Sequence, residues 1–195
     1  MKRIDALRVV GQAARDLPIV VTCAATSREM AAVADGDNCL YLLDSMGLTS
    51  SVGTGLALAL EDSAVSRVVV LDGDGSLFMN LNALATAGYY RPHKLVLIIL
   101  DNASYASTAG FPTYSARLDL GAISSSCGLE VSSVIDERSL REALAMVRAT
   151  PGPHVLHLRI EVGNASDIPL LLMDPVVLAS RFQRWIGGFE SSASC

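Results

Sequence analysis

The chain has 195 residues, 51% of them hydrophobic and 18% charged, a balance that excludes general disorder and supplies one substantial core. Its net charge of −5 argues against nucleic acid as a partner. The longest apolar runs, Leu95–Leu100 and Pro169–Met173, fall far short of the roughly 20 residues of a membrane span, so no membrane is expected either. The opening Met1-Lys2-Arg3-Ile4-Asp5 leads into an amphipathic pattern rather than a signal peptide. Cys23, Cys39, Cys127 and Cys195 have no metal-ligand spacing and read as reduced thiols, which makes the cytoplasm the expected compartment.

In chain order, residues 2–16 carry a polar-interrupted helical pattern and Pro18–Cys23 a short buried strand. Ser27-Arg28-Glu29-Met30 opens a helix, with Ser27 as cap and Glu29 near the positive end of the dipole. Cys39–Leu43 is a second strand. Thr49–Leu60, rich in Gly, Ala and Leu, is a tightly packed helix. Arg67–Asp72 reads as a strand, Leu77–Tyr89 as a helix, Lys94–Leu100 as a strand and Arg117–Cys127 as a helix. Val131–Val134 is a short strand and Glu137–Ala149 an amphipathic helix with Leu140, Leu144 and Val147 on one stripe. Pro153–Val162 is the last strand, on which His154 and His157 face opposite sides. A helix from about Pro175 to Trp185 follows, and residues 187–195 form a small, polar tail expected to be flexible. Alternating strands and helices predict an α/β fold: three α/β/α layers around a mainly parallel central sheet, as one domain over 1–186.

Two strand ends carry the chemistry. Leu71-Asp72-Gly73-Asp74-Gly75-Ser76 closes the run Val68-Val69-Val70, and Asp101-Asn102-Ala103-Ser104-Tyr105 closes Leu95–Leu100. Open α/β sheets bind ligands at such carboxyl ends. Asp74 and Asn102 are 28 positions apart, room for one helix and a return strand, so their side chains can meet at neighbouring strands. A carboxylate and an amide oxygen, beside glycines that admit close backbone approach, suit Mg²⁺ holding a diphosphate.

This Gly-Asp-Gly with a later Asn resembles the cofactor motif of thiamine-diphosphate enzymes. The resemblance implies Mg²⁺ ligation by Asp74, Asn102 and the Ser104 backbone carbonyl. It implies a diphosphate held at Gly73, Gly75 and Ser76, with Tyr105, Ala106 and Ser107 closing over it. In Leu43-Asp44-Ser45-Met46-Gly47-Leu48, the family places a bulky apolar wedge that bends the cofactor, and Met46 takes that position, with Ser45 beside it. Two residues earlier the family uses a backbone carbonyl, often of glycine. Here that residue is Asp44, and the substitution requires a negative φ. Asp101–Thr113 is similar to the Asp-Asn-x-x-Tyr-x-Ser-Thr-x-Gly-x-Pro-Thr segment of sulfopyruvate and phosphonopyruvate decarboxylases, and Ser27-Arg28-Glu29 to their Ser-Arg-Glu. The likeness runs from residue 2 to Phe182 and is greatest to the separate β subunits of that family.

It implies a carboxy-lyase that uses thiamine diphosphate and Mg²⁺ on a small anionic 2-oxo acid, releasing CO₂ and the aldehyde. Arg28 and Thr108 are the candidates for the substrate. The family's activating glutamate lies on a separate pyrimidine-binding domain for which this chain has no room, and neither Glu29 nor Glu61 fits the role. The expected partner is therefore a pyrimidine-domain α subunit, in a hetero-oligomer such as α2β2 or larger. Other readings are the β half of an acetolactate-synthase-like enzyme, or a non-catalytic cofactor-binding regulatory subunit.

Overall fold

The computed structural model describes residues 1–106 and 108–190. Helix α1 (Arg3–Ala13) leads into β1 (Ile19–Val21), α2 (Ala25–Ala34), β2 (Cys39–Tyr41), α3 (Thr49–Ala59) and β3 (Val68–Gly73). Next come α4 (Asp74–Met79), α5 (Asn82–Tyr90) and β4 (Leu95–Asp101), then a small hairpin of β5 (Ser104–Tyr105) and β6 (Phe111–Pro112). Helix α6 (Leu120–Ser126), β7 (Glu130–Val134), α7 (Glu137–Ala149), β8 (His154–Arg159) and α8 (Pro175–Glu190) complete the chain.

Six strands form one sheet in the order β2-β1-β3-β4-β8-β7, every pair parallel. The inner strands are buried on both faces because they are largely apolar, while the edge strand β7, with Glu130, Ser132 and Ser133, is only partly covered. Val69, Leu71, Val96 and Ile98 join the core with α1, α2 and α7, while Val68, Val70, Leu97 and Ile99 join the one with α3, α5 and α6. Helix α3 lies close on β3 because Gly53 has no side chain; a Cβ there would run into Val70.

The structure departs from the sequence reading in five places. The helix expected over Leu77–Tyr89 starts earlier, at Asp74, and breaks in two at Asn80, whose φ and ψ of −149° and 65° are not helical. Asn80 instead donates its side-chain amide to the Gly47 carbonyl. Ser27 is not a cap: α2 begins two residues before it, behind Ala24 at φ 63°, and the Ser27 hydroxyl donates to the Ala24 carbonyl. The helix expected over Arg117–Cys127 is a 3-10 turn at Tyr114–Ala116 followed by α6, which Asp119 caps through the amides of Gly121 and Ala122. The hairpin is new. Helix α8 runs on through Glu190, past the expected 186 boundary, and residues 191–195 of the expected tail lie outside the described residues. Cys23, Cys39 and Cys127 are free thiols, and Cys195 also lies outside the described residues. No helix among the described residues is long and apolar enough to cross a membrane.

Candidate functional site

Strand β1 has β2 on one side and β3 on the other, so the chain reverses its direction of travel across the sheet between β1 and β3. A crevice opens at the carboxyl side of such a switch point. Here it is a cleft walled by Thr22–Thr26 after β1, Met46 after β2, Gly73–Ser76 after β3, and Asn102 with Ser104–Ala106 after β4.

The register pairs Gly73 with Leu100, which sets Asp74 beside Asp101 and next to Asn102. Asp74 is only 3% exposed. Its carboxylate accepts the Thr113 hydroxyl at 2.5 Å, and the nearby backbone amides of Gly75 and Asn102 favour its charged form. Burial pushes the Asp74 carboxyl above the usual range despite the Thr113 bond. The Asn102 amide oxygen accepts the Ser104 amide at 3.0 Å, closing a tight turn in which Ala103 has φ 54°.

That turn is fastened from behind by Asp101, which is almost wholly buried. One of its oxygens accepts the Ala103 amide at 3.1 Å. The other meets His157 Nε2 at 2.7 Å, the Ser115 hydroxyl at 2.5 Å and Arg159 Nη1 at 3.1 Å. Burial alone would raise this carboxyl, but the contacts with His157, Ser115 and Arg159 outweigh it and hold Asp101 low. Thr113 also donates its amide to the Ala103 carbonyl at 3.0 Å, and Ser115 donates its amide to the Thr113 hydroxyl. Residues 113–115 therefore clasp both strand ends at once, Asp74 through Thr113 and Asp101 through Ser115.

The Ser76 hydroxyl accepts the Gly47 amide at 3.0 Å and the Thr22 hydroxyl at 3.3 Å. Ser50 ties α3 to the wholly buried Asp72 at 2.6 Å. Gly73 is bordered by open space, where an added Cβ would meet nothing within 4 Å. Gly75 lies against the Tyr105 ring, and a Cβ there would come within 2.6 Å of it. A hard carboxylate, an amide oxygen and a nearby main-chain carbonyl beside an open glycine are the donor set that Mg²⁺ on a diphosphate takes. The residues present fit that group.

The structure brings Met46, Gly73, Asp74, Gly75, Ser76, Asn102, Ser104, Tyr105 and Ala106 to one cleft. Ser45 stands beside the wall with its hydroxyl on the Leu43 carbonyl. Asp44 corrects the expectation of a negative φ: it is exposed and left-handed, at φ 55°. Asp is among the few residues that tolerate this region, so the backbone keeps a glycine-like path without glycine. Arg28 is half-buried on α2 and is not part of the cleft wall. Thr108 is exposed, its hydroxyl on the Tyr105 carbonyl at 3.1 Å. Ser107 lies outside the described residues. Glu29 is paired with Arg3, and Glu61 with His93. Arg3, Thr22, Thr26, Ser115, His157 and Arg159 were not assigned to the site from the sequence, and Thr113 was quoted there without a role of its own. Thr26 is buried against the cleft in the first turn of α2, with no side-chain hydrogen bond among the described residues. Its place just after a strand end was the available signal.

Residues 21–158 match the family described as "Thiamine pyrophosphate enzyme, C-terminal TPP binding domain". The chain belongs to this family. It is 38% identical to the sulfopyruvate decarboxylase subunit beta of Methanothermobacter thermautotrophicus, over 96% of this chain and 97% of that protein. It is 37% identical to the phosphonopyruvate decarboxylase of Streptomyces viridochromogenes, over 94% of this chain but only 46% of that enzyme. Among solved structures, the benzoylformate decarboxylase of Polynucleobacter necessarius superposes with a TM-score of 0.72 at 19% identity, over 83% of this chain and 34% of the other, a likeness of fold. The chain thus stands among the thiamine pyrophosphate-dependent carboxy-lyases, as the domain that binds the cofactor.

Proposed function

We propose that the chain is the diphosphate-binding β subunit of a heteromeric, Mg²⁺-dependent decarboxylase of a small anionic 2-oxo acid, of the 3-sulfopyruvate or 3-phosphonopyruvate type, working in the cytoplasm. The observation that carries this reading is the pairing of Asp74 with the Asn102–Ser104 turn on adjacent strands, in a chain that matches a sulfopyruvate decarboxylase β subunit end to end. In it, Asp74, Asn102 and the Ser104 carbonyl hold Mg²⁺. Gly73, Gly75 and Ser76 would receive the diphosphate, and Tyr105 and Ala106 would border it. When bound, the cofactor supplies the electron sink for loss of CO₂. The chain's own work would be orientation: Met46, on the cleft wall, would support the bent cofactor, and the Asp44 carbonyl would be offered to its aminopyrimidine.

The size of the cleft supports a partner. It is about 70 Å³, against the roughly 300–1,000 Å³ of pockets that enclose a whole organic ligand. One end of the cofactor fits within this chain, and the other end needs a second wall. Phe111 and Tyr114 stand exposed near the cleft, on and just after β6, and offer apolar surface to such a wall. We assign that wall to a pyrimidine-domain α subunit bearing the activating glutamate, in an α2β2 or larger assembly. The test is co-purification with the product of an adjacent reading frame, followed by CO₂ release from a panel of 2-oxo acids. Turnover of sulfopyruvate or phosphonopyruvate well above that of pyruvate is expected; preference for an uncharged 2-oxo acid would overturn the substrate class.

A further inference from the structure

Arg3 is 7% exposed and is the one cationic side chain on the wall of the cleft among the described residues. It is held rigidly. Its Nε donates to Glu29 Oε2 at 3.0 Å, and its Nη2 to Glu29 Oε1 at 2.6 Å and to Asn164 Oδ1 at 2.8 Å. Glu29 is fixed in turn by the Ala165 amide at 2.9 Å. The Nη1 edge of the guanidinium has no protein acceptor among the described residues. An ion pair this buried is costly to desolvate and is a weak source of stability. It does pre-orient a planar fork of donors, the geometry that suits phosphate oxygens.

The hydrogen-bonding needs of a diphosphate point the same way. A diphosphate is a polyanion. A divalent ion bound through the Asp74 carboxylate leaves one net positive charge against it. The remaining phosphate oxygens need hydrogen-bond donors, and Arg3, its charge balanced by Glu29, shares the wall with Asn102 and Gly73–Ser76. Resting on the cofactor assignment above, we propose that Arg3, aimed by Glu29 and Asn164, binds the terminal phosphate of the diphosphate through its free Nη1 edge. Arg28, expected from sequence as the anion-binding cation, is not on the wall.

The test is titration of the co-purified complex with Mg²⁺ and either thiamine diphosphate or thiamine monophosphate. The variants are Arg3→Met and the pair Arg3→Met with Glu29→Gln. The pair leaves no uncompensated buried charge, so it keeps the fold readable. Both variants should bind the diphosphate roughly tenfold or more weakly, as loss of a charge-assisted hydrogen bond predicts. Both should also lose most of the preference for diphosphate over monophosphate. If the paired variant binds like wild type, Arg3 only balances Glu29, and the inference falls. It falls equally if cofactor affinity holds and only the KM of the oxo acid rises. Wild-type protein that takes up no thiamine diphosphate would instead sink the functional reading itself.

Discussion

The Asp74 carboxylate sits in a place that disfavours its charge: it is buried, its neighbours are a hydroxyl and two amides, and no ion pair among the described residues offsets it. A bound cation would resolve that tension, and Thr113 holds the carboxylate in place. Thr113→Val preserves shape and removes the hydroxyl. It should weaken Mg²⁺-dependent cofactor binding by roughly tenfold, while Thr113→Ser retains it; calorimetric titration decides, and an unchanged affinity in the valine variant would remove Thr113 from the site. Met46→Ala should cost about 10²-fold in turnover, the scale of a misplaced reacting group. It should cost no more than about 1 kcal/mol of stability, because the side chain is only half-buried. Equal activity would refute the wedge. The acid and amide donors were legible because each closes a β-branched run. Thr113 was not: it meets Asp74 across 39 positions of chain, through a hairpin with no periodic signal. The left-handed path of Asp44 was misjudged because tertiary context, rather than residue type, sets that φ.

The strands and the long amphipathic α7 were readable because period and composition agreed with burial. Other elements were decided by contacts distant in sequence. Asn80 ends α4 by bonding Gly47, and Ala24 turns into α2 without a capping side chain. The docking of α8 is a further case. Arg181 forms two bonds to Asp35, at 2.8 and 2.9 Å, and Asp35 also accepts the Tyr41 hydroxyl, so one carboxylate joins α8 to β2. Burial raises this carboxyl, but the Arg181 and Tyr41 bonds outweigh it and hold it below the ordinary carboxylate range. A lowered folded-state value contributes stability that is complete above the unfolded-state value and is lost as pH falls through the folded one. Wild type should therefore lose thermal stability relative to Asp35→Asn as pH drops below the ordinary carboxylate range. Parallel melting curves across that window would contradict the role of the pair.

As a whole, the molecule is a single parallel sheet whose ligand crevice lies at one end and is only partly walled. The sheet class was predictable from alternation alone. The order β2-β1-β3-β4-β8-β7 was not, since periodicity says nothing about which strand lies beside which. This architecture predicts that the purified chain by itself releases negligible CO₂ from 2-oxo acids and gains activity when the α subunit is added. Full activity without any added subunit would end the argument for a shared site. At the heart of the proposed function stands a divalent ion that would grip the cofactor's diphosphate between the ends of β3 and β4. Calorimetric titration of the complex with thiamine diphosphate, with and without Mg²⁺, in wild type and Asp74→Ala, addresses it most directly. Tight binding is expected only for wild type with Mg²⁺ present; equally tight binding by Asp74→Ala, or by wild type under chelation, would contradict a metal-bridged diphosphate.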